Sequence, residues 1–297
     1  MSEQTSGTSS PLQQAQQLLA ELQKAAAPDP AELKTKLAAV DALLKEAAAR
    51  GEGADATALR AELNETVDRN ASFTSMMVHE IRKPMTSIRG YADMLSKPGL
   101  IGPMTEQQQQ FIDIIRTNTI RMEGLVTDIS DIGKLTAHRI KLDSKMTTSG
   151  QIFMEVQKMG ESFIAETGQT VTWDVPQGLP LLNVDSKQLA KVVWNLVKNA
   201  IQYTPKGGTI AVKAERLDGN VLHILVTDSG IGMKPEEIAR LGELFYRADH
   251  ELVTSQKGYG LGIPVAKGLL TLMDSELSVA STPDHGSIFS FSIVGMG

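Results

Sequence analysis

Residues 72–95, with the sequence SFTSMMVHEIRKPMTSIRGYADML, decide the fold of the first half of this chain. Their apolar residues recur at helical spacing, and the pattern extends upstream to about Asp55 without a breaker, so it predicts one long helix. His79 and Glu80 stand side by side in this helix, and Pro84 follows them. Proline lacks an N–H and its ring clashes with the preceding turn, so we expect a kink there.

A second long helix is predicted after the loop SKPGLIGPM, where Thr105 and Gln108 form a capping box. Its apolar stripe, spaced by three and four residues, consists of Phe111, Ile114, Ile115, Met122, Leu125, Ile129, Ile132 and Leu135. Two amphipathic helices joined by a short loop make a hairpin, which cannot cover both stripes by itself. We therefore predict a homodimer that closes a four-helix bundle. The alternative is packing of the hairpin against the rest of its own chain.

The first 70 residues contain no aromatic residue and are rich in Ala, Leu, Gln, Glu and Lys, which favour helices. Asp29, Pro30 and Glu32 predict a helix start, and the glycines at 51 and 53 predict a stop. Two short helices should therefore precede the long one, as a coiled-coil-like segment over residues 1–70. The alternative is a solvated, partly frayed extension.

Composition excludes several classes of protein. The net charge of −6 and the pI of about 5.5 argue against a nucleic-acid partner, because such proteins present a basic face. The chain has no cysteine, which excludes disulfides and thiol chemistry. It has no apolar run near the roughly 20 residues that span a bilayer. We therefore expect a cytoplasmic protein without a membrane span.

From about Thr147 the pattern changes to alternating helices and strands. Helices are predicted over residues 151–166 and 186–203, the second capped by Asp185. Strands are predicted at QTVTWDVP, at GGTIAVKAERL and NVLHILVTD joined by a tight turn at Asp218 and Gly219, and within ELSVASTPDHGSIFSFSIV. These elements predict a mixed sheet backed by helices.

Glycine clusters in this half predict a phosphate site. They are DSGIGM at 228–233, KGYGLGIPVAK at 257–267, and the pair at 207–208. Glycines before a helix let backbone amides surround an anion, and the helix dipole adds to the attraction. Neither a P-loop nor a dinucleotide-binding fingerprint is present in the sequence. Taken singly, each cluster is more often a turn.

Three polar residues add chemistry to these clusters. Asn195 and Asn199 lie four residues apart, hence on one helix face, and their amide oxygens could bind Mg²⁺ beside phosphates and water. Asp228 ends a strand and could accept a hydrogen bond from an exocyclic amine such as that of adenine. For each asparagine alone, a surface or capping role is the better interpretation.

Five segments together resemble sensor histidine kinases. FTSMMVHEIRKPMTSIRGYADML resembles their H-box, WNLVKNAIQYTP the N-box, DSGIGM the first glycine box, LFYRAD the F-box and GYGLGIPVAK the second glycine box, all in family order. The resemblance implies a dimerisation and phosphotransfer hairpin over residues 71–140, followed by an α/β sandwich over residues 147–297, the catalytic ATP-binding domain of the gyrase-like (GHKL) type. Residues 1–70 would be an input or docking segment, where an upstream signalling partner could bind.

The resemblance also implies roles for single residues. His79 resembles the phosphoacceptor, and Glu80 its base or orienting hydrogen-bond partner. Asn199 resembles the principal Mg²⁺ ligand, with Asn195 helping to ligate the metal or to position the acceptor. Asp228 resembles the residue that reads adenine. The other expected ATP-binding residues are Tyr203 in the base pocket, Gly230 and Gly232 in the turn after Asp228, and the lid residues Phe245, Arg247, Lys257, Gly258, Gly260, Leu261 and Gly262.

Departures from the family pattern limit these expectations. Family members that dephosphorylate their partner usually carry Thr or Asn four residues after the histidine, where this chain has Lys83. An ammonium cannot accept a hydrogen bond from a hydrolytic water, so we expect weak or absent phosphatase activity. Gln202 replaces a phosphate-contacting lysine, and Gly242 replaces the first phenylalanine of the F-box.

Two functions remain open from the sequence. The first is an ATP:protein-histidine phosphotransferase that phosphorylates itself on His79 and passes the group to an aspartate of a response regulator receiver domain. The second is a nucleotide-binding scaffold, a degenerate relative that acts through partner binding.

Overall fold

A computed structural model of the 297-residue chain describes residues 10–24, 30–97, 102–250, 252–253 and 258–296. The helices are α1 (Pro11–Lys24), α2 (Pro30–Ala49), α3 (Gly53–Leu95), α4 (Glu106–Thr136), α5 (Ser149–Thr167), α6 (Ser186–Tyr203), α7 (Pro235–Ala239) and α8 (Gly262–Leu272). The strands are β1 (Lys145–Thr147), β2 (Thr170–Asp174), β3 (Leu182–Val184), β4 (Thr209–Leu217), β5 (Val221–Asp228), β6 (Ser278–Ser281) and β7 (Ser287–Val294). They fall into two compact units, Met1–Arg139 and Ile140–Gly297.

The first two helices pack against the beginning of α3. Their shared core consists of Ala15, Leu19, Val40, Leu44, Ala47, Ala56, Leu59 and Leu63. The two short helices expected before the long one are therefore present, although the predicted cap Asp29 lies outside the described residues. Because α1 and α2 cover the apolar stripe at the start of α3, that stripe is buried within its own chain.

Helices α3 and α4 form the expected hairpin. Helix α3 is 43 residues long and continues through Pro84 without ending. Helix α4 begins at the predicted capping box, where Thr105 and Gln108 each bind the other's backbone N–H. Val78, Met85 and Val126 form a buried cluster between the two helices.

The second unit is a mixed sheet with helices on one face, as predicted. The strand order is β2-β4-β5-β7-β6, with β2 and β4 parallel and every other pair antiparallel. Residues alternate along β4, β5 and β7, so one face of the sheet is buried. Helix α6 packs on this sheet and also contacts α5 and α8. This packing places α6 at the centre of the unit.

The start of α6 is fixed by Asp185, the predicted cap. Its Oδ1 accepts a hydrogen bond from the backbone N–H of Gln188 at 3.1 Å, and its Oδ2 accepts one from Asp143 at 3.1 Å. Strands β1 and β3 pair into a separate two-stranded sheet beside this cap. The sequence did not predict this sheet, because strands of three residues carry too little alternation to be recognised.

No helix within the described ranges is long and apolar enough to cross a membrane.

Candidate active site

His79 lies on the surface of α3, where its side chain can contact another molecule. Its side chain is 66% exposed, and its Nδ1 lies 3.3 Å from Oε1 of Glu80. The same carboxylate oxygen accepts a hydrogen bond from Nζ of Lys83 at 2.7 Å. The hydrogen bond from Lys83, and after it the one with His79, lowers the pKa of the Glu80 carboxyl. Glu80 is therefore an acceptor at neutral pH.

One face of α6 carries the polar residues expected to bind nucleotide. Asn195, Asn199 and Tyr203 follow one another at intervals of four residues, so they lie along one side of the helix. Asn195 is only 7% exposed, and its amide nitrogen makes no hydrogen bond with any described residue. A buried, unpartnered amide is costly, so this group is suited to a ligand that would complete its bonding.

Asp228 lies at the end of β5, 7% exposed. Its Oδ1 accepts a hydrogen bond from the backbone N–H of Gly230 at 2.8 Å. Burial raises the pKa of the Asp228 carboxyl, and backbone hydrogen bonds from Gly230 and Ser287 oppose the rise. A second, outward-directed interaction with an amine would favour the ionised form further.

The turn after Asp228 is packed closely against two other segments. A Cβ on Gly230 would lie 2.4 Å from the carbonyl oxygen of Tyr203, and Ile231 donates its N–H to that same oxygen at 3.1 Å. Gly232 has φ +63°, and a Cβ there would lie 1.9 Å from the carbonyl oxygen of Thr282. Only glycine fits either position, as the requirement for a tight turn predicts.

The second glycine cluster approaches the same helix. A Cβ on Gly258 would lie 3.6 Å from Oε1 of Gln202 and 3.8 Å from the hydroxyl of Tyr203. Gly262 begins α8, and a Cβ there would lie 3.7 Å from Oδ1 of Asn195. The buried Leu261 precedes it. The two glycine segments and α6 therefore border one site.

The segment between the glycine clusters, residues 233–259, is called the lid below, and its described part contacts the second glycine cluster at Phe245 and Tyr246. Gly260 has φ +68°, and a Cβ there would lie 2.5 Å from the carbonyl oxygen of Tyr246 and 3.1 Å from Cα of Phe245. Arg247 donates a hydrogen bond to the carbonyl of Val253. Lys257, expected to supply positive charge, lies outside the described residues.

Two contributors to the site were not found from the sequence. Gly286, with φ +79°, lies so close to Asp228 that a Cβ would be 1.9 Å from its carbonyl oxygen. Lys267 of α8 donates to the carbonyl of Leu241 at 2.5 Å and lies against Gly242. The motif HGS could have indicated a turn at Gly286, and Lys267 stands at the end of the second glycine cluster. Neither pattern predicts which distant residue Gly286 or Lys267 contacts.

The structure thus brings Asn195, Tyr203, the turn at Asp228 and the segment from Gly258 to Gly262 into contact around α6. Asn199 lies on the same helix face between two of these residues. His79 and Glu80 belong to the first compact unit.

Comparisons with known proteins match both units. Residues 69–138 match the His Kinase A (phospho-acceptor) domain, and residues 184–294 match the histidine kinase-, DNA gyrase B-, and HSP90-like ATPase. Together the two matches cover more than half of the chain. The chain therefore belongs to the sensor histidine kinases.

Individual relatives are similar over most of this chain. The chain is 30% identical over 227 residues to the non-motile and phage-resistance protein of Caulobacter vibrioides, an alignment covering 75% of this chain and 27% of that protein. It is 28% identical over 220 residues to the histidine protein kinase DivJ of the same organism, covering 74% of this chain and 36% of DivJ. The chain thus spans about a third of the length of these relatives.

Two solved structures share the fold. Full-length ShkA in complex with AMPPNP has a TM-score of 0.61 at 24% identity, covering 76% of this chain and 46% of that one. The histidine kinase AdeS of Acinetobacter baumannii has a TM-score of 0.50 at 19% identity, covering 74% of this chain and 98% of that one.

Proposed function

We propose that this protein is an ATP-dependent histidine kinase that phosphorylates itself on His79 and passes the phosphoryl group to an aspartate of a response regulator. The observation that carries the proposal is the convergence of both glycine segments and the buried Asn195 on one face of α6. His79 is exposed beside a carboxylate. It would be the nucleophile that attacks the γ-phosphate of a nucleotide bound at such a site.

The expected roles follow from the chemistry of each group. Asp228 would accept a hydrogen bond from the amino group of adenine, and Tyr203 would line the base pocket. Asn199, with Asn195, would hold Mg²⁺ through amide oxygens. When bound, Mg²⁺ would neutralise charge on the phosphates. No cluster of three His, Asp or Glu side chains suited to a metal occurs among the described residues, so phosphate oxygens and water would complete the coordination.

The residues around the phosphates would act mainly by position. The loose transition state of phosphoryl transfer needs little covalent help, so charge neutralisation and alignment carry most of the catalysis. The N–H groups at the start of α8 and the glycines before it would face the phosphates. Phe245 and Arg247 would hold the lid.

A homodimer is part of the proposal. Large apolar side chains on α3 and α4 are at least 39% exposed in the single chain: Phe73, Met76, Met77, Ile81, Ile88, Tyr91, Met94, Leu95, Phe111, Ile114, Ile115, Ile120 and Met122. Such a contiguous set is typical of an interface, and a second hairpin would cover it as a four-helix bundle. We expect Ile114→Glu to convert a dimer into a monomer in sedimentation velocity, whereas a wild-type monomer would contradict the dimer.

The proposed activity also implies partners. A response regulator receiver domain would accept the phosphoryl group, and an upstream partner could bind α1 and α2. Lys83 predicts weak or absent phosphatase activity towards the regulator. Neither a nucleic-acid partner nor a membrane span is expected, and the cytoplasmic location stays a prediction.

The decisive experiment is incubation with Mg²⁺ and ATP labelled on the γ-phosphate. We expect acid-labile label on the protein that is absent in His79→Gln and strongly reduced in Asp228→Asn. Nucleotide binding without labelling of the wild type would instead support the scaffold function. The intact pattern of Asn199, Asp228 and the three glycines 258, 260 and 262 favours the kinase.

A further inference from the structure

The contact between His79 and Glu80 needs an explanation, because neighbouring residues on a helix do not normally face each other. Side chains at i and i+1 diverge by about 100°, whereas those at i and i+3 or i+4 are neighbours. Yet Nδ1 of His79 lies 3.3 Å from Oε1 of Glu80. Something must turn the glutamate side chain towards the imidazole.

Lys83 contacts the same carboxylate. It lies three residues after Glu80 and four after His79, so it is a neighbour of each of them on the helix surface. Its Nζ donates to Oε1 of Glu80 at 2.7 Å, the same oxygen that faces His79. All three side chains are more than half exposed, so no surrounding packing fixes the carboxylate. The hydrogen bond from Lys83 is therefore the contact that restrains the Glu80 carboxylate.

The carboxylate in turn fixes the state of the ring. An ionised carboxylate only accepts hydrogen bonds, so Nδ1 of a neutral imidazole must carry the proton in this contact. The other nitrogen, Nε2, then has a free lone pair. We propose that Lys83 is a positioning residue for the phosphoacceptor, which holds Glu80 against Nδ1 and thereby maintains His79 in the tautomer whose Nε2 is the nucleophile.

This inference rests on the proposed kinase activity for its consequence. In the transfer, Nε2 would form a bond to the γ-phosphorus while the bond from that phosphorus to the bridging oxygen breaks, and its electron pair leaves with ADP. The proton on Nδ1 stays on the ring, where the carboxylate of Glu80 balances the positive charge that develops. The lysine forms no bond to the reacting atoms.

Lys83 thus contributes in a way that differs from a Thr or Asn at the same place. A hydroxyl or amide can bind a water, whereas the ammonium is directed to the carboxylate. The departure from the family pattern would therefore favour the phosphorylation step while removing a group that could assist hydrolysis.

The test is the tautomer of His79, measured by long-range ¹⁵N–¹H NMR spectra of the full chain with the ring neutral and assigned by comparison with His79→Gln. In Lys83→Met we expect the ratio of the Nδ1–H to the Nε2–H form to fall about two- to threefold, the scale of one exposed helical ion pair. The initial rate of autophosphorylation should fall with the population of the Nδ1–H form. Lys83→Arg should restore both.

Two controls make the result specific. Arg82→Met removes the same charge one residue away and should leave the tautomer ratio unchanged. In a Glu80→Gln background, Lys83→Met should have no further effect, because the lysine acts through the carboxylate. An unchanged ratio in Lys83→Met, or an equal change in Arg82→Met, would overturn the inference. The tautomer is measured without ATP, so an inactive wild type would refute the kinase proposal without deciding this one.

Discussion

Gly232→Ala tests whether the turn after Asp228 is held by its contact with the segment between β6 and β7. Gly232 has φ +63°, and its new Cβ would lie 1.9 Å from the carbonyl oxygen of Thr282 and 2.6 Å from its carbon. The same segment donates the N–H of Asp284 to the carbonyl of Ile231 at 2.7 Å. Relief of the clash therefore requires the two segments to separate, which also strains this hydrogen bond.

Two terms make up the expected magnitude. An L-residue at positive φ costs about 1–2 kcal/mol. The unfolded alanine chain has less conformational entropy to lose than the unfolded glycine chain, which offsets about 0.4–1 kcal/mol of that cost. Overpacking against a backbone carbonyl, which cannot rotate away as a side chain can, adds about 1–3 kcal/mol. We expect Gly232→Ala to lower the free energy of unfolding by about 2–4 kcal/mol and to weaken nucleotide binding.

Gly219→Ala is the matched control. Gly219 also has positive φ, +72°, but no described atom lies within 4 Å of the position of its Cβ. It carries the conformational cost alone, about 1 kcal/mol, and it is in the turn between β4 and β5, away from Asp228.

Urea unfolding followed by tryptophan fluorescence measures the difference. The chain has two tryptophans, Trp173 and Trp194, and both lie in the second unit, so the signal reports that unit. A fluorescent ATP analogue gives the binding constant. The reasoning is refuted if the two alanine variants lose the same free energy, or if Gly232→Ala binds nucleotide as tightly as Gly219→Ala does.

Three further predictions concern single side chains. Burial raises the pKa of the Asp228 carboxyl above its ordinary 3.8. The folded protein therefore binds this proton more tightly than the unfolded chain does. The stability that the protonated carboxyl contributes is lost as the pH rises through the raised pKa. Asp228→Asn, which does not titrate, should therefore gain stability relative to wild type as the pH increases above about 4, measured by urea midpoints across pH. Asp185→Ala leaves two backbone N–H groups without their acceptor, so we expect a loss of about 1–2 kcal/mol in the same assay. Arg139→Met removes the hydrogen bonds of Arg139 to Asp68 and Ser72, and because these groups are largely exposed we expect a loss of about 0.5–1 kcal/mol in the thermal unfolding of the helical unit, smaller at high salt.

Each of these has an outcome that contradicts it. Parallel pH curves for Asp228→Asn and wild type would show that the carboxyl is not perturbed by burial. Asp185→Asn keeps an acceptor and should lose less stability than the alanine variant, so equal losses would count against the cap. A salt-independent effect of Arg139→Met would show that packing, rather than charge, is its main contribution.

Much of the fold follows from local patterns. The capping box at Thr105, the cap at Asp185 and the span of α6 were all predicted from a few neighbouring residues, because a helix end is stabilised by side chains within one turn of it. The antiparallel pairs β4–β5 and β6–β7 likewise join adjacent segments. By contrast, β1 and β3 are short and distant in sequence, so their pairing left no local signal.

The sequence by itself therefore determined most of the elements, and the residue types that a nucleotide and a phosphoacceptor would need. Only the tertiary structure decided that α1 and α2 bury the first apolar stripe of α3 and that Gly286 lies against Asp228. The physical reason is that spacing along a chain fixes which residues share a face of one element. Which faces meet depends on packing between distant segments, and which rotamer a side chain adopts depends on the partner it finds there.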